Sequence, residues 1–176
     1  NRLLLDEITG AATDRAGETL VVAIDLDRFK AINDRHGHEA GDAVLQATAA
    51  RLRAVARETR DFAFRIGGDE FVLLVDWQGA TAEPQDFCET LREDLTAPVP
   101  FGVLSLEPGA SLGFALHRGC GAGLRDTLRE ADMALYSAKH DGRGRTVPYT
   151  PEIGTSYTAH VEELELFRNA FAKNEL

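Results

Sequence analysis

The spacing of apolar residues along the chain predicts alternating strands and helices. Thr19–Ile24 is an almost continuous apolar run, which is typical of a strand buried on both faces of a sheet. Further on, Val44, Leu52 and Val55 recur near the helical period. The same patterns predict a hairpin of Asp61–Ile66 and Phe71–Val75, strands over Val99–Leu106, Ala110–Leu116 and Thr146–Tyr149, and helices over Gly41–Thr59, Pro84–Thr96, Leu124–His140 and His160–Lys173. We expect these elements to form an α/β sandwich.

Length and charge narrow the classes of function without selecting one. A chain of 176 residues with 44% hydrophobic content can build one compact domain with a sizeable core. The net charge of −10 argues against a nucleic-acid-binding surface, which would favour a basic patch. No apolar run approaches the roughly 18 residues that cross a bilayer, so we expect no membrane contact from this segment.

Two further features concern the setting of the chain. Cys88 and Cys120 lack the spacing of a metal site, and free thiols in a reducing, cytoplasmic compartment are the expectation. The chain starts at Asn1 rather than at a methionine, which suggests a piece of a longer protein that could itself be tethered to a membrane.

The candidate chemistry begins at the predicted hairpin, whose tip reads Gly67-Gly68-Asp69-Glu70. The two glycines carry no side chain, so an anionic group could lie against their amides. Asp69 and Glu70 offer carboxylate oxygens, which are ligands for a hard divalent cation. A solvated glycine-rich turn would have the same local sequence, so the turn alone leaves both interpretations open.

A second acidic cluster, Asp25-Leu26-Asp27, ends the first predicted strand. A carboxylate at the end of a buried strand is well placed for metal binding, because the sheet fixes the backbone while the strand end opens to solvent. Asp27 is expected to have a structural role rather than to be a ligand.

Five segments together resemble one known family in their order and spacing. They are Asp25 to Asp34, Gly37 to Asp42, Arg65 to Phe71, Ser111 to Ala115, and Ala131 to Lys139 with Gly142-Arg143. In these segments the chain is similar to the GGDEF family of diguanylate cyclases from about Leu20 to Val147. The resemblance implies condensation of two GTP molecules into cyclic di-GMP with release of pyrophosphate. It also implies a mainly antiparallel central sheet flanked by helices, like the palm of polymerases and nucleotide cyclases.

The resemblance further implies roles for individual residues. Asp25, Asp69 and the carbonyl of Leu26 would bind Mg²⁺ or Mn²⁺, and Glu70 would either join them or activate the ribose 3′-hydroxyl. Asp69 and Glu70 are therefore the expected catalytic residues. Asn33 and Asp42 would recognise guanine, since an amide and a carboxylate can meet the donors and acceptors of the purine edge. The expected phosphate-binding residues are Phe29, Lys30, Gly67, Gly68, Lys139 and Arg143.

The chain departs from the family pattern at the place of an inhibitory product site. Many members carry Arg-x-x-Asp shortly before the Gly-Gly turn, whereas Glu58 precedes Thr59, Arg60 and Asp61 here. A glutamate repels the phosphates of the product, so we predict no feedback inhibition.

The ends of the chain divide it into three parts. We expect residues 1–18 to form a lead-in whose first helix is shortened, because few residues separate Gly10 from Leu20. Residues 19–150 would form the domain that resembles the GGDEF family. Residues 151–176 form a linker helix that resembles the lead-in to an EAL phosphodiesterase domain, although a plain amphipathic helix fits the same pattern.

Two functions remain open on the sequence. The first is an active cyclase that takes GTP and works as a homodimer, because each domain holds one of the two nucleotides. The second is a catalytically weak or inactive GTP-binding module that regulates an attached EAL phosphodiesterase domain.

Overall fold

The structure is a computed structural model that describes residues 17–56, 61–77, 83–118 and 123–172. The predicted short first helix within residues 1–18, Glu58 and Cys120 lie outside these ranges. The elements are β1 (Glu18–Asp27), α1 (Phe29–His36), α2 (His38–Val55), β2 (Phe62–Arg65), β3 (Glu70–Asp76), α3 (Pro84–Thr96), β4 (Val99–Phe101), β5 (Leu104–Leu106), β6 (Gly109–Arg118), α4 (Leu124–His140), β7 (Thr146–Pro148) and α5 (Pro151–Ala172). Within the described ranges no helix is long and apolar enough to span a membrane.

Five strands form the main sheet in the order β2-β3-β1-β6-β7. The central strand β1 is antiparallel to both β3 and β6, and only the short edge strand β7 runs parallel to its neighbour in the described sheet. The predicted α/β sandwich, with a mainly antiparallel sheet flanked by helices, is confirmed.

Alternate residues of β1 belong to the two apolar layers on either side of the sheet. Leu20, Val22 and Ile24 cluster with side chains of α1, α2 and α3. Val21 and Ala23 cluster with side chains of α4. Burial of one such side chain contributes about 1.5–3 kcal/mol. This central strand is therefore held firmly, and its carboxyl end brings Asp25 to the rim of the sheet.

Gly113 in β6 sets how closely α4 approaches the sheet. A Cβ atom at this position would lie 2.0 Å from the backbone nitrogen of Leu135 and 2.4 Å from the carbonyl oxygen of Ala131. Helix α4 thus rests on the strand through backbone, and its C-terminal turn is held at a fixed distance from β1.

The C-terminal helix α5 packs along α4 through aromatic rings. The rings of Tyr136 and Tyr157 meet edge to face at 5.1 Å between centroids, and His160 lies 5.7 Å from Tyr136. The absence of a side chain at Gly154 leaves room for Tyr149, whose hydroxyl would lie 2.7 Å from a Cβ there. This segment is helical, as predicted, but the helix starts at Pro151 rather than at His160.

Three further predictions were wrong. No helix was predicted between Asp27 and Gly41, yet Phe29–His36 forms α1, because Phe29 is buried in the core and Gly37, with φ of 87°, turns the chain directly into α2. Helix α2 ends at Val55, earlier than predicted. Val99–Leu106 is not one strand, because Gly102 has φ of 59° and turns it into the small hairpin β4–β5.

Candidate active site

A cavity of about 420 Å³ opens where the end of β1 meets the tip of the β2–β3 hairpin and the end of α4. This volume lies within the range of about 300–1,000 Å³ that is usual for ligand sites. Its wall combines acids, cations and one aromatic ring: Asp25, Leu26, Arg28, Phe29, Lys30, Asp69, Lys139 and Arg143. The structure therefore gathers at one place most of the residues that the sequence assigns to metal and phosphate.

Strand pairing places the two acidic segments side by side. Asp25 is directly opposite Glu70 in β3 and opposite Ser111 in β6. The amide of Leu26 donates a hydrogen bond of 3.1 Å to the carbonyl oxygen of Asp69. Because opposed residues of an antiparallel pair point to the same face, Asp25 and Glu70 project from one side of the sheet.

The hairpin tip is held by a side chain whose role the sequence did not indicate. The guanidinium of Arg65 donates hydrogen bonds to the carbonyl oxygens of Gly67 at 3.1 Å and of Gly68 at 2.7 Å. A Cβ atom at Gly67 would lie 2.9 Å from a carboxylate oxygen of Glu70, whereas a Cβ at Gly68 would meet nothing within 4 Å. A side chain at Gly67 would therefore require only a shift of the exposed Glu70 carboxylate, and one at Gly68 would meet open space.

Asp25 forms an ion pair with Lys139 inside the cavity. The Lys139 Nζ atom lies 2.6 Å from Asp25 Oδ2, and the side chains are 30% and 11% exposed respectively. Burial raises the pKa of Asp25 above its ordinary value, and the carboxylates of Asp69 and Asp27 add to the rise. The hydrogen bond and positive charge of Lys139 oppose it. Negative charge is thus concentrated at a place where a cation is strongly favoured.

Asp27 serves the fold rather than the cavity. Its carboxylate accepts hydrogen bonds from the Ser111 hydroxyl at 2.8 Å and from the Gly144 amide at 3.0 Å. These bonds tie the end of β1 to β6 and to the turn that follows α4. This is the structural role expected from the sequence.

The turn after α4 presents Arg143 to the cavity. Helix α4 ends at His140, Gly142 follows with φ of 109°, and the Arg143 amide donates a hydrogen bond of 3.0 Å back to the carbonyl oxygen of Ala138. Arg143 itself has φ of 65°, and its side chain is about half exposed. A non-glycine residue held in this conformation is strained, which is common at binding sites.

Asn33 and Asp42 lie outside the wall of this cavity, on α1 and α2. Gly41 is what allows the two helices to meet at this point, because a Cβ there would lie 2.0 Å from Oδ1 of Asn33 and 3.0 Å from the Phe29 ring. Phe29 lines the cavity, and its ring also lies beside Gly41, the residue that precedes Asp42.

The donor set at the acidic end suits a hard divalent cation. The available ligand atoms are all oxygens: the carboxylates of Asp25 and Asp69 and the backbone carbonyl of Leu26. Oxygen ligands suit Mg²⁺ or Mn²⁺ and not a metal that prefers thiolates. In the described ranges no group of three or more His, Cys, Asp or Glu side chains is arranged to hold a metal as it stands. The side chains present therefore supply part of a ligand shell, which substrate oxygens and water would complete.

Arg28 was also missed by the sequence reasoning. It lines the cavity and has φ of 56° at the start of α1, a conformation that the sequence does not signal. A larger cavity of about 620 Å³ between α4 and α5 contains none of the predicted site residues.

A comparison with family models matches residues 1–145 to "Diguanylate cyclase, GGDEF domain". One curated relative, an uncharacterized signaling protein of Caulobacter vibrioides, is 41% identical over 181 residues, which cover 100% of this chain and 22% of the relative. A second relative is the bifunctional diguanylate cyclase/cyclic di-GMP phosphodiesterase MucR of Pseudomonas aeruginosa. It is 33% identical over 183 residues, which cover 100% of this chain and 26% of MucR.

Among solved structures, the isolated GGDEF domain of TpbB from Pseudomonas aeruginosa is similar, with a TM-score of 0.72 and 32% identity. The likeness covers 88% of this chain and 90% of that one. The chain thus spans about a quarter of the length of these curated relatives and nearly the whole of a solved domain.

Proposed function

The chain belongs to the diguanylate cyclase GGDEF domain family, and on this premise we propose that it condenses two GTP molecules into cyclic di-GMP with release of two pyrophosphates. The observation that carries the proposal is the single cavity in which the carboxylates of Asp25 and Asp69 face the cations of Lys30, Lys139 and Arg143. Such a cavity can hold a triphosphate and a divalent cation together.

We assign the two ends of GTP to the two ends of the site. Asn33 and Asp42 receive the guanine edge beyond Phe29, and the triphosphate lies along the cavity towards Lys139 and Arg143. Lys30, Gly67 and Gly68 would complete the phosphate contacts. The position of Phe29 supports this orientation, because its ring lies beside Gly41 and its side chain also lines the cavity with the acids and cations.

The family implies a divalent metal requirement, and we propose Mg²⁺ or Mn²⁺ held by Asp25, Asp69 and the Leu26 carbonyl. When bound, the cation neutralises the triphosphate and lowers the pKa of the attacking hydroxyl. Glu70 is exposed on the same face as Asp25, and we assign it to receive the proton of the ribose 3′-hydroxyl. The 3′-oxygen then bonds to the α-phosphorus of the second GTP, and pyrophosphate leaves with its charge countered by Lys139 and Arg143.

Each cavity accommodates one nucleotide in this orientation, so the two reacting nucleotides must come from two copies of the chain. We therefore propose a homodimer in which the cavities face each other. A cytoplasmic setting suits both the substrate and the buried free thiol of Cys88.

The test is incubation of concentrated protein with GTP and Mg²⁺ or Mn²⁺, followed by chromatography for cyclic di-GMP. The Glu70→Gln variant should lose at least about 100-fold in rate, since general acid–base groups typically contribute 10²–10⁴-fold. Glu93→Gln, an exposed position on α3, is the matched control and should keep the wild-type rate. A rate per protein that does not rise with protein concentration would contradict the dimer.

A second candidate function follows from the domain arrangement that we propose, with residues 19–150 as the catalytic domain and 151–176 as a linker to an EAL domain. It is supported by the match of the whole chain to MucR, which is named as both cyclase and phosphodiesterase. In that setting the domain would bind GTP and regulate the attached phosphodiesterase. GTP binding without product in the assay above would favour this function.

A further inference from the structure

We propose that Lys139 and the divalent cation alternate on the same carboxylate, so that Lys139 pairs with Asp25 until a cation binds and then transfers to the phosphates. The inference rests on the proposed function, which supplies both the cation and the triphosphate. It makes Lys139 a positioning residue that sets the affinity of the metal site as well as a contact for substrate.

Lys139 engages an oxygen of the carboxylate to which a cation would bind. Asp25 is buried, and the 2.6 Å bond from Lys139 Nζ occupies Oδ2, one of the two oxygen atoms of its carboxylate. A lysine ammonium and a divalent cation within a few ångströms of each other in a partly buried site repel strongly. Both cannot hold the same carboxylate at full strength.

Asp27 differs from Asp25 in the groups that bind its carboxylate. That carboxylate also lies at the end of β1, yet neutral donors, the Ser111 hydroxyl and the Gly144 amide, bind it. Its only ion pair among the described residues is a long one of 4.0 Å to Arg143. Asp25 is therefore the carboxylate in this pair whose partner carries a full charge and competes with a cation.

The Lys139 side chain can move while its helix stays in place. Helix α4 is fixed against β6 at Gly113 and closed by the hydrogen bond from Arg143 to Ala138. The lysine side chain has a flexible four-carbon stem and lines the same cavity as Arg143. A rotation of this stem carries the ammonium from Asp25 into the cavity without any backbone change.

The test measures Mn²⁺ binding without nucleotide, by electron paramagnetic resonance of free Mn²⁺ in a buffer of constant pH. Lys139→Met should bind Mn²⁺ about tenfold more tightly than the wild type, because the ammonium group that competes for the Asp25 carboxylate is gone. The control Arg143→Met removes a cation of the same cavity that does not touch Asp25, and its Mn²⁺ affinity should stay within about twofold of the wild type.

A second measurement separates this role from a merely structural one. Lys139→Met should bind GTP more weakly while it binds Mn²⁺ more tightly, whereas a distorted site would weaken both. Lys139→Gln keeps a hydrogen bond to Asp25 without the charge, and replaces Lys139→Met if that variant fails to fold.

Unchanged or weaker Mn²⁺ affinity in the Lys139 variants would overturn the inference, and so would undetectable Mn²⁺ binding in all variants. Because cyclase activity is not part of the readout, the two proposals fail separately. A protein that makes no cyclic di-GMP but shows the tightened Mn²⁺ binding would retain the exchange and lose the reaction.

Discussion

At the scale of single residues, Gly41 makes room for the predicted guanine site. It lies inside α2, where alanine would ordinarily be better by about 1 kcal/mol. The 2.0 Å separation between a Cβ at this position and Oδ1 of Asn33 overrides that preference. Alanine, which would favour a stable helix, is therefore excluded at position 41 by the side-chain amide of Asn33.

We predict that Gly41→Ala weakens GTP binding about 10- to 100-fold, since a displaced amide loses a buried pairing worth ~1–3 kcal/mol. Titration calorimetry with GTP and ATP would measure the affinity and the selectivity. The double variant Asn33→Ala/Gly41→Ala should recover thermal stability but not selectivity for guanine. An unchanged GTP affinity in the single variant would remove Asn33 from the binding site.

Asp25 has a consequence for stability that depends on pH. Burial raises the pKa of Asp25 in the native state above the ordinary value of an aspartate. A carboxyl of this kind binds its proton more tightly when the protein is folded. Its contribution to the free energy of unfolding is therefore fully present below the unfolded pKa and is lost as pH rises through the folded pKa.

We predict that Asp25→Asn raises the melting temperature at neutral pH, because the amide removes the burden of a buried charge while metal-dependent activity is lost. The gain over wild type should shrink as pH falls through the folded pKa of Asp25. Thermal unfolding by circular dichroism across this range would test it, with Asp34→Asn on exposed α1 surface as the control. A lower melting temperature at every pH would show that the Lys139 ion pair outweighs burial.

At the scale of elements, α4 connects the sheet to the site. Its backbone touches β6 at Gly113. Its last turn brings Lys139 to the cavity, and the turn that follows the helix brings Arg143 there. The distance between this helix and the sheet therefore sets the positions of the Lys139 and Arg143 side chains.

We predict that Gly113→Ala lowers the free energy of unfolding by about 1–3 kcal/mol, because the added methyl group meets backbone that cannot rotate away. Urea unfolding would measure the change. Gly68→Ala, where a Cβ meets nothing within 4 Å, is the matched control and should stay within about 0.5 kcal/mol. Equal stability of the two variants would contradict the close packing of α4 on β6.

The elements that sequence predicted well are those with strong periodicity. Helices α3 and α4 have the predicted bounds, since a proline starts one and a glycine follows the other. Helix α1 was missed because it is short and polar, and its one fully buried side chain is Phe29. The break at Gly102 was missed because a glycine within an apolar run does not reveal its φ angle.

At the scale of the whole molecule, the sequence predicted the members of the site better than their arrangement. Residues from β1, α1, the hairpin and α4 meet in one cavity, as the family resemblance implied. The pairing of Lys139 with Asp25, the hold of Arg65 on the hairpin tip and the position of Arg28 depend on side-chain directions. Those directions follow from packing and not from spacing along the chain.

The replacement of the expected arginine by Glu58 bears on inhibition by the product. Asp61 is 7% exposed, and its carboxylate accepts a hydrogen bond of 2.9 Å from the Asp76 amide, so it is engaged in the fold. With Glu58 in place of arginine, we predict that added cyclic di-GMP in stoichiometric excess leaves the initial rate unchanged within about twofold. The variant Glu58→Arg should gain inhibition, and a wild-type rate that falls with added product would contradict the prediction.

The contact of α5 with α4 links the C-terminal helix to the proposed nucleotide site. Tyr136, which meets Tyr157 of α5, lies one turn before Lys139 on the same helix. If loosening α5 lowers the affinity for nucleotide by some factor, thermodynamic reciprocity requires nucleotide to strengthen the hold on α5 by that same factor. The end of α4 that we propose to contact phosphate and the helix α5 would then be coupled, so that a change in binding at one alters binding at the other.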